Sequence, residues 1–268
     1  QGTTKLPPVA LHWKSYDRTS NRCVSLTTVN DRGEATTLSD SPVSLHTSAP
    51  ELQLLSNGRY HVAVTGAGGG STRFDDLAVT RWRDDATCDH WGSFLYVRDL
   101  ANGAFWSIAR QPVRATADSG RVDFAIGRAA FHRRDGDVES VVAIVVAPDD
   151  DVELRRVTLV NHAATAKTID VTSYAEVVLA PPDVDAEHPA FAKLFVETTW
   201  DAGRRAILCR RRPRETGTPS PWMFHRACAP ASAVGGISFE TDRLHFIGRG
   251  RTPADPRAMH EQTLSGRT

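Results

Sequence analysis

The sequence has few cysteines and none of the cysteine spacings that mark a typical zinc site. Its four cysteines lie far apart in 268 residues, at Cys23, Cys88, Cys209 and Cys228. No two of them form a C-x-x-C pair, so we expect neither bound zinc nor a dense disulfide framework, and we interpret all four as reduced thiols. We expect no metal ion and no cofactor.

Long apolar runs and an excess of one charge are also absent. The longest apolar run covers residues 141–147, whereas a membrane-spanning helix needs about 20 apolar residues. Thirty-two basic residues balance 32 acidic ones, which removes the usual electrostatic reason to expect nucleic acid or an anionic membrane as a partner. The sequence begins at Gln1 without a methionine or a signal peptide, so we expect it to be part of a longer protein.

What the sequence does contain is a repeating strand pattern. From Glu51 onward, short runs rich in β-branched and aromatic residues alternate with turn residues about every ten positions, which is typical of an antiparallel β-sandwich. Residues 168–179 give the clearest strand, because mainly apolar side chains alternate with mainly polar ones. We predict an all-β fold, a large antiparallel two-sheet β-sandwich.

Turn signals predict further strands and their partners. Asn102-Gly103 favours a hairpin between residues 94–97 and 105–108. Residues 138–147 are predicted to pair with residues 153–161. Shorter strands are predicted at residues 193–199, 206–210, 222–227, 237–240 and 244–247.

Proline and glycine divide the chain into three parts. Residues 1–50 contain many chain breakers and little periodicity, so we predict a linker or a loosely packed N-terminal arm. Residues 51–250 form the predicted β-sandwich domain. Residues 251–268 are polar and interrupted by Pro253 and Pro256, so we predict an exit segment towards a following part of the parent protein.

No catalytic motif stands out. Residues 66–72 follow a predicted strand, but a phosphate-binding loop needs a Lys before the Ser or Thr and a helix after it. We interpret these residues as a glycine-rich strand connection in which backbone segments approach closely. Runs of Asp are typical of solvated turns, and there is no G-x-S-x-G. We predict no catalytic residues in this chain.

One segment mixes aromatic residues with Arg and Asp in the manner of a sugar-binding site. Aromatic rings cover the C–H face of a sugar, and the guanidinium and carboxylate groups of Arg and Asp bind its hydroxyl groups through paired hydrogen bonds. The candidate substrate-binding residues are Arg81, Trp82, Arg83, Trp91, Arg98 and Trp106. The alternative is that the three tryptophans anchor the core and that Arg–Asp pairs close the rim of the sandwich.

The same region carries a family resemblance. Residues 51–112, with the motif TRWRDDATCDHWGSFLYVRD, resemble the start of the N-terminal β-sandwich of glycoside hydrolase family 94, which comprises inverting glycoside phosphorylases. Residues 171–200, 209–214 and 238–251 resemble blocks of the cyclic β-1,2-glucan synthases, large bacterial inner-membrane enzymes with a phosphorylase-like region. The blocks keep their order across residues 51–268.

The resemblance implies a supersandwich of the galactose-mutarotase-like type, followed in the parent enzyme by an (α/α)6 barrel. In the family the general acid and the phosphate site lie on the barrel. This chain would then be non-catalytic, within a parent of glycosyltransferase or glycoside phosphorylase type. The implied partners are the barrel, a β-1,2-glucan or related glucoside, and a second copy in a homodimer. The implied location is the cytoplasmic side of the bacterial inner membrane, in a membrane-anchored parent.

Three hypotheses of function follow from these observations. The first is a non-catalytic, carbohydrate-associated module of a cyclic β-1,2-glucan synthase that shapes the glucan cleft of the neighbouring barrel. The six candidate residues would contact the glucan or the barrel. The second is a structural scaffold or dimerisation module without sugar affinity of its own. The third is a mutarotase-like enzyme that interconverts sugar anomers with a His and a carboxylate.

Overall fold

The computed structural model describes residues 8–16, 24–25, 51–85, 87–213, 220–229 and 234–268. Within these ranges the chain consists mainly of β-strands, which confirms the all-β prediction. The strands are β1 (Pro8–Tyr16), β2 (Val24–Ser25), β3 (Leu52–Ser56), β4 (Tyr60–Thr65), β5 (Gly70–Phe74), β6 (Leu77–Thr80), β7 (Phe94–Asp99), β8 (Phe105–Ser107), β9 (Ser119–Ala125), β10 (Arg128–Asp135), β11 (Val138–Val146), β12 (Glu153–Asn161), β13 (Thr168–Ala180), β14 (Val196–Asp201), β15 (Ala206–Arg211), β16 (Trp222–Arg226) and β17 (Val234–Glu240).

Two antiparallel sheets make the predicted sandwich. The first has the strand order β17-β1-β13-β6-β5-β4-β3, with β7 also paired to β13 and β8 paired to β7. The second has the order β2-β12-β11-β10-β9. Val62 and Val97 of the first sheet and Phe131 and Val157 of the second are buried in one apolar core. A smaller sheet, β14-β15-β16, lies beside them, and Ile207 of β15 shares a second apolar cluster with β13.

Most of the predicted strands and pairings are confirmed. β7 and β8 form the predicted hairpin, and β11 pairs with β12 along its whole length. The prediction of a strand at residues 244–247 is wrong, because Arg243–Ile247 forms the helix α3. The Asp242 side chain caps this helix by accepting a hydrogen bond from the backbone N–H of Leu244 (2.8 Å), and Gly248 ends it with a φ of 88°.

Helices play a minor part in the described structure. α1 (Pro182–Glu187) and α2 (Pro189–Lys193) follow β13 directly, and a 3-10 helix covers Arg257–His260. Both α1 and α2 begin with proline, whose missing N–H would have no intrahelical partner at that position. Among the described residues, no helix has both the length and the apolar character needed to cross a membrane.

The outer face of the first sheet is covered by the C-terminal part of the chain. Phe246 of α3 stacks on Tyr174 of β13, with ring centroids 4.8 Å apart. Met259 and Leu264 are buried in the same apolar cluster. Residues 251–268, the predicted exit segment, therefore pack against the sandwich, and their path towards a following barrel stays a prediction.

Two stretches of residues 1–50 belong to the described structure. β1 pairs with β13 on one side and with β17 on the other, and β2 pairs with β12. Part of the region predicted as a linker or arm thus lies inside the first sheet. The rest of that region lies outside the described residues, and the division into arm, sandwich and exit segment stays a prediction.

The glycine-rich segment is confirmed as a close strand connection between β4 and β5. At Gly70, φ is 153° and an added Cβ would lie 2.0 Å from the carbonyl oxygen of Ala63 on the paired strand. At Gly69, an added Cβ would lie 2.7 Å from the carbonyl oxygen of Asp89. The backbone N–H of Gly70 also donates to the carbonyl oxygen of Trp91 (2.8 Å). Because side chains are excluded at both glycines, the segment with Asp89 and Trp91 lies directly against the sheet.

Candidate functional site

A buried group of charged side chains lies near the end of β13. At its centre is Glu176, whose side chain is 7 % exposed. Its carboxylate accepts hydrogen bonds from Arg81 Nη1 (2.9 Å), Arg243 Nε (2.8 Å) and the Tyr174 hydroxyl (2.9 Å). The Lys193 ammonium of α2 lies 3.7 Å away. We define the Glu176 network as Glu176, Arg81, Asp185, Lys193 and Arg243.

Arg81 links the central carboxylate to a second one. Its side chain is 3 % exposed and donates two hydrogen bonds to Asp185, from Nε to Oδ2 (2.9 Å) and from Nη2 to Oδ1. Arg83 donates to the same carboxylate from Nη2 (2.8 Å). A guanidinium has donors on several sides, so Arg81 can hold Asp185 with a fork while it also contacts Glu176.

Opposite charges in the network favour the ionised forms of Glu176 and Arg81 although both are buried. Burial opposes ionisation of the Glu176 carboxyl, but the charges of Lys193, Arg243 and Arg81 outweigh this effect and lower its pKa. Burial also opposes the charged form of Arg81, but hydrogen bonds and charge from Asp185 and Glu176 raise its pKa. Each charge therefore depends on its partners, and loss of one partner leaves the others uncompensated.

These contacts join segments that are far apart in the sequence. Arg81 follows β6, and its partners Glu176 and Asp185 lie 95 and 104 residues away along the chain. Lys193 ends α2, and Arg243 begins α3. The network therefore fixes the start of the segment between β6 and β7, the helices α1 and α2, and the start of α3 to one point on β13.

Large apolar side chains are exposed next to the network in sequence. We define the network rim as Trp82, Phe191, Leu194 and Leu244, whose side chains are 43–55 % exposed. Arg83 and Arg243 also reach the surface there, since their side chains are 26 % and 33 % exposed. Exposed apolar side chains interleaved with arginines are typical of a binding surface.

Three of the six sequence-predicted site residues are buried. Arg81 belongs to the network, and Trp106 lies in the core between the two sheets. Arg98, 5 % exposed, donates to Asp170 and to the carbonyl oxygen of Met259 (2.7 Å), so it joins the first sheet to the C-terminal segment. These three side chains are buried against other parts of the chain, and their contact with a glucan or with a barrel stays a prediction.

The other three predicted site residues reach the surface. Trp82 and Arg83 lie at the network rim. Trp91 is half-buried, with its ring tilted against that of His90 at a centroid distance of 5.2 Å. Contact of these residues with a glucan or with a barrel stays a prediction.

Sequence reasoning missed the carboxylates that hold the arginines. The strand pattern predicts that Glu176 lies on the polar face of β13, and the structure shows that this face is buried as well. Asp185 lies in the proline-containing segment after β13 and gives no pattern of its own. A charged residue inside a long, mostly apolar strand is the available signal, because its burial requires a partner of opposite charge.

A large cleft lies between the two sheets and β16. Its volume of about 1120 Å³ is at the upper end of the range for small-molecule sites. Polar and aromatic residues that line it include Tyr60, Asp123, His132, Glu153, Trp222 and His225. None of the six sequence-predicted site residues lines this cleft.

The cleft contains a histidine–carboxylate pair. His132 Nε2 lies 2.9 Å from Asp123 Oδ2, on the paired strands β10 and β9. Burial and the charge of Arg121 lower the pKa of His132, against the opposing effect of Asp123. A neutral imidazole beside a carboxylate can accept a proton at neutral pH. These are the residue types that the mutarotase-like hypothesis requires.

His225 on β16 lines the same cleft and leads to a pH-dependent prediction. It contacts the Ser173 hydroxyl (2.8 Å), and burial lowers its pKa to about 4. Between this value and the pKa of about 6.5 in the unfolded chain, the unfolded chain binds more protons than the folded one. Stability is therefore complete above this window and is lost as the pH falls through it.

We expect acidification to lower the thermal unfolding midpoint of the wild type more than that of His225→Gln. Equal pH profiles for the wild type and His225→Gln would show that His225 contributes nothing.

Three side chains with metal-ligand chemistry gather between β6 and β7. Asp85, Cys88 and His90 place their donor atoms within 4.8 Å of one another. The cysteine spacing does not predict this group, because it combines one cysteine with a carboxylate and an imidazole. Among the described residues, free thiols are found as predicted at Cys88, Cys209 and Cys228, and Cys23 lies outside those residues.

Comparison with known proteins agrees with the resemblance seen in the sequence. The description "Glycosyl hydrolase 94, supersandwich domain" matches residues 40–268. The chain is 39 % identical over 217 residues to the cyclic beta-(1,2)-glucan synthase NdvB of Rhizobium meliloti (strain 1021), covering 81 % of this chain and 8 % of that protein. It is 25 % identical over 222 residues to an N,N'-diacetylchitobiose phosphorylase of Vibrio proteolyticus, covering 81 % of this chain and 27 % of that protein.

A third relative is the solabiose phosphorylase of Paenibacillus borealis, which is 25 % identical over 155 residues, or 58 % of this chain and 19 % of that protein. The chain thus spans less than a third of the length of each of these three relatives.

Proposed function

The chain belongs to the glycosyl hydrolase 94 supersandwich family, and on this basis we propose that it is the non-catalytic, carbohydrate-associated module of an enzyme of the cyclic β-1,2-glucan synthase type. In this proposal it shapes the glucan cleft of a neighbouring (α/α)6 barrel. The network rim is the face turned towards glucan and barrel. The observation that carries the proposal is the Glu176 network, a buried group of ion pairs that holds the segment with Trp82 and Arg83.

The chemistry of the rim supports contact with a sugar. An exposed indole ring such as that of Trp82 covers the C–H face of a pyranose. Arg83 binds Asp185 through Nη2, and a guanidinium has further N–H donors for hydroxyl groups. A site held by a rigid support loses less conformational freedom on binding than a site on a mobile loop.

The relatives support the rest of the proposal. The name of the Rhizobium meliloti relative indicates a β-1,2-glucan as the sugar, and the names of the two phosphorylases indicate N,N'-diacetylchitobiose and solabiose. We propose that the barrel of the parent chain supplies the catalytic groups, and that the sandwich also takes part in a homodimer. We further propose that the parent is anchored in the bacterial inner membrane, with this module on the cytoplasmic side.

Calorimetric titration with linear and cyclic β-1,2-glucans tests the sugar contact. We expect Trp82→Ala to weaken binding about fivefold, because an aromatic contact contributes about 1 kcal/mol. The control is Trp222→Ala, which removes an equally exposed indole from the cleft (60 % against 49 %) and should bind as the wild type does. A wild-type affinity for Trp82→Ala would place the sugar elsewhere.

The burial of Arg81, Arg98 and Trp106 supports a second candidate, the scaffold without sugar affinity. In that case the rim docks only protein. The wild type should then give no binding heat with either glucan at millimolar concentration. Sedimentation should show self-association of the chain, and Phe191→Ala should weaken it.

The His132–Asp123 pair supports a third candidate, the mutarotase-like enzyme. Polarimetry of glucose anomer interconversion separates it from the other two. A rate that exceeds that of buffer and is lost in His132→Asn would support catalysis in the cleft, and a rate equal to that of buffer would exclude it.

A further inference from the structure

We infer that Asp85, Cys88 and His90 form a binding site for a divalent transition-metal ion of the zinc class. The three residues lie on the segment between β6 and β7, outside both the Glu176 network and the cleft. They offer a carboxylate oxygen, a thiol sulfur and an imidazole nitrogen within 4.8 Å of one another. The inference depends on these contacts alone and is independent of the proposed role in glucan binding.

The three donor atoms already converge on one point. Cys88 Sγ lies 2.9 Å from Asp85 Oδ2 and 2.7 Å from His90 Nδ1. In a tetrahedral site with Zn–S of about 2.3 Å and Zn–N or Zn–O of about 2.1 Å, neighbouring ligand atoms lie about 3.5 Å apart. Each of these two pairs therefore has to separate by less than about 1 Å to admit the ion. Metal–ligand bonds then replace the two hydrogen bonds.

Neighbouring groups orient two of the ligands. Asp85 Oδ1 accepts hydrogen bonds from the backbone N–H (2.8 Å) and the hydroxyl (2.6 Å) of Thr87, so its other oxygen, Oδ2, faces Cys88. The His90 ring packs against the ring of Trp91. Such outer contacts fix the direction of a ligand and strengthen metal binding.

The segment that carries the ligands is held at both ends. Arg81, just before it, is buried in the Glu176 network. After it, the carbonyl oxygen of Trp91 accepts a hydrogen bond from Gly70, and that of Asp89 lies beside Gly69, where a side chain would collide with it. A site on an anchored segment loses little freedom when a ligand binds.

The donor set selects the type of metal. Thiolate and imidazole ligands suit zinc and its neighbours in the first transition row, whereas magnesium and calcium take oxygen ligands. On binding, the Cys88 S–H bond breaks, its proton passes to solvent, and the thiolate sulfur forms the bond to the metal. Three protein ligands leave one tetrahedral position for water or for another donor.

Titration of the 268-residue chain with Co²⁺ under reducing conditions tests the site. Cobalt reports on thiolate coordination through a charge-transfer band in the near ultraviolet. We expect this band to saturate at one equivalent and to disappear when Zn²⁺ is added. Cys88→Ser should abolish the band, and His90→Ala, which removes a ligand and not an outer contact, should weaken binding by about 100-fold or more. Cys228→Ser, which removes another half-buried free thiol, should leave the titration unchanged.

Circular dichroism of each variant checks that it is folded. Because Asp85 is exposed, Asp85→Asn serves as a third ligand variant. A wild-type chain that gives no band overturns the inference. A band that survives Cys88→Ser overturns it too, because another thiol then binds the ion. Loss of glucan binding with the cobalt titration intact would count against the proposed function only.

Discussion

Replacing Arg81 with alanine is expected to lower the free energy of unfolding by about 3–5 kcal/mol. The substitution leaves Glu176 and Asp185, which are 7 % and 4 % exposed, without the guanidinium that joins them. Lys193 and Arg243 still face Glu176, and Arg83 still faces Asp185, so both carboxylates keep part of their compensation. Urea denaturation followed by circular dichroism measures the loss.

Two further variants separate the burial of Arg81 from its charge. Arg204 is 78 % exposed and pairs with Asp201 at the surface, so Arg204→Ala should cost less than about 1 kcal/mol. Arg81→Lys keeps the charge but loses the paired hydrogen bonds of the guanidinium to Asp185. Its free energy of unfolding should therefore lie between those of the wild type and Arg81→Ala. If Arg81→Ala were no less stable than Arg204→Ala, the network would not hold this end of the sandwich together.

Phe246→Ala is expected to lower the free energy of unfolding by a similar amount, about 3–5 kcal/mol, because it creates a cavity in a closed apolar cluster. Phe246 has 0 % exposure, and its ring contacts those of Tyr174 and Tyr96 at centroid distances of 4.8 and 6.4 Å. The cavity also removes the main contact between α3 and the outer face of β13. Hydrogen exchange should therefore accelerate over residues 243–264 before it accelerates in the sheet.

Leu244→Ala is the matched control for this prediction. Leu244 lies in the same helix but is 55 % exposed, so its truncation should change stability by no more than about 0.5 kcal/mol. Equal effects at the two positions would mean that the C-terminal segment is only loosely docked on the sheet.

The fold could be predicted from the sequence where one face of a strand is apolar. Alternation in residues 168–179 is enough to locate β13. It does not reveal that the polar face is covered as well, because Asp170 and Glu176 look like solvated residues until their partners Arg98 and Arg81 are known. Those partners lie far away in the sequence, and only the folded sheet brings them close.

β1 was not predicted as a strand, and α3 was wrongly predicted as one; both outcomes have local causes. The sequence PVALHWKSY of β1 alternates Val9, Leu11 and Trp13 with more polar residues, but the prolines beside it indicate a loop more strongly than the alternation indicates a strand. α3 is apolar and short, so a strand is an equally good prediction until its ends are considered. Asp242 and Gly248, a capping residue and a helix-ending glycine, are the signals that decide for the helix.

The sequence shows which residue types cluster in the candidate site, but it does not show which of those residues are buried. Clustered Trp and Arg residues single out the segment between β6 and β7 in the sequence, and its role as a site stays a prediction. Whether a given Trp is exposed depends on its neighbours in the folded chain: Trp82 points outward, whereas Trp106 faces the core between the sheets. The carboxylates of α1 and β13 could not be connected to this segment by any spacing rule.

We propose that the network rim, and not the cleft, is the face that meets sugar. Hydroxyl-radical footprinting of the chain with and without linear β-1,2-glucan tests this proposal, since Trp82 and Phe191 at the rim and Trp222 and Phe224 on β16 are all 49–60 % exposed. We expect glucan to slow oxidation of Trp82 and Phe191 and to leave oxidation of Trp222 and Phe224 unchanged. Protection of the β16 pair alone, or of neither pair, would show that the glucan does not bind at the network rim.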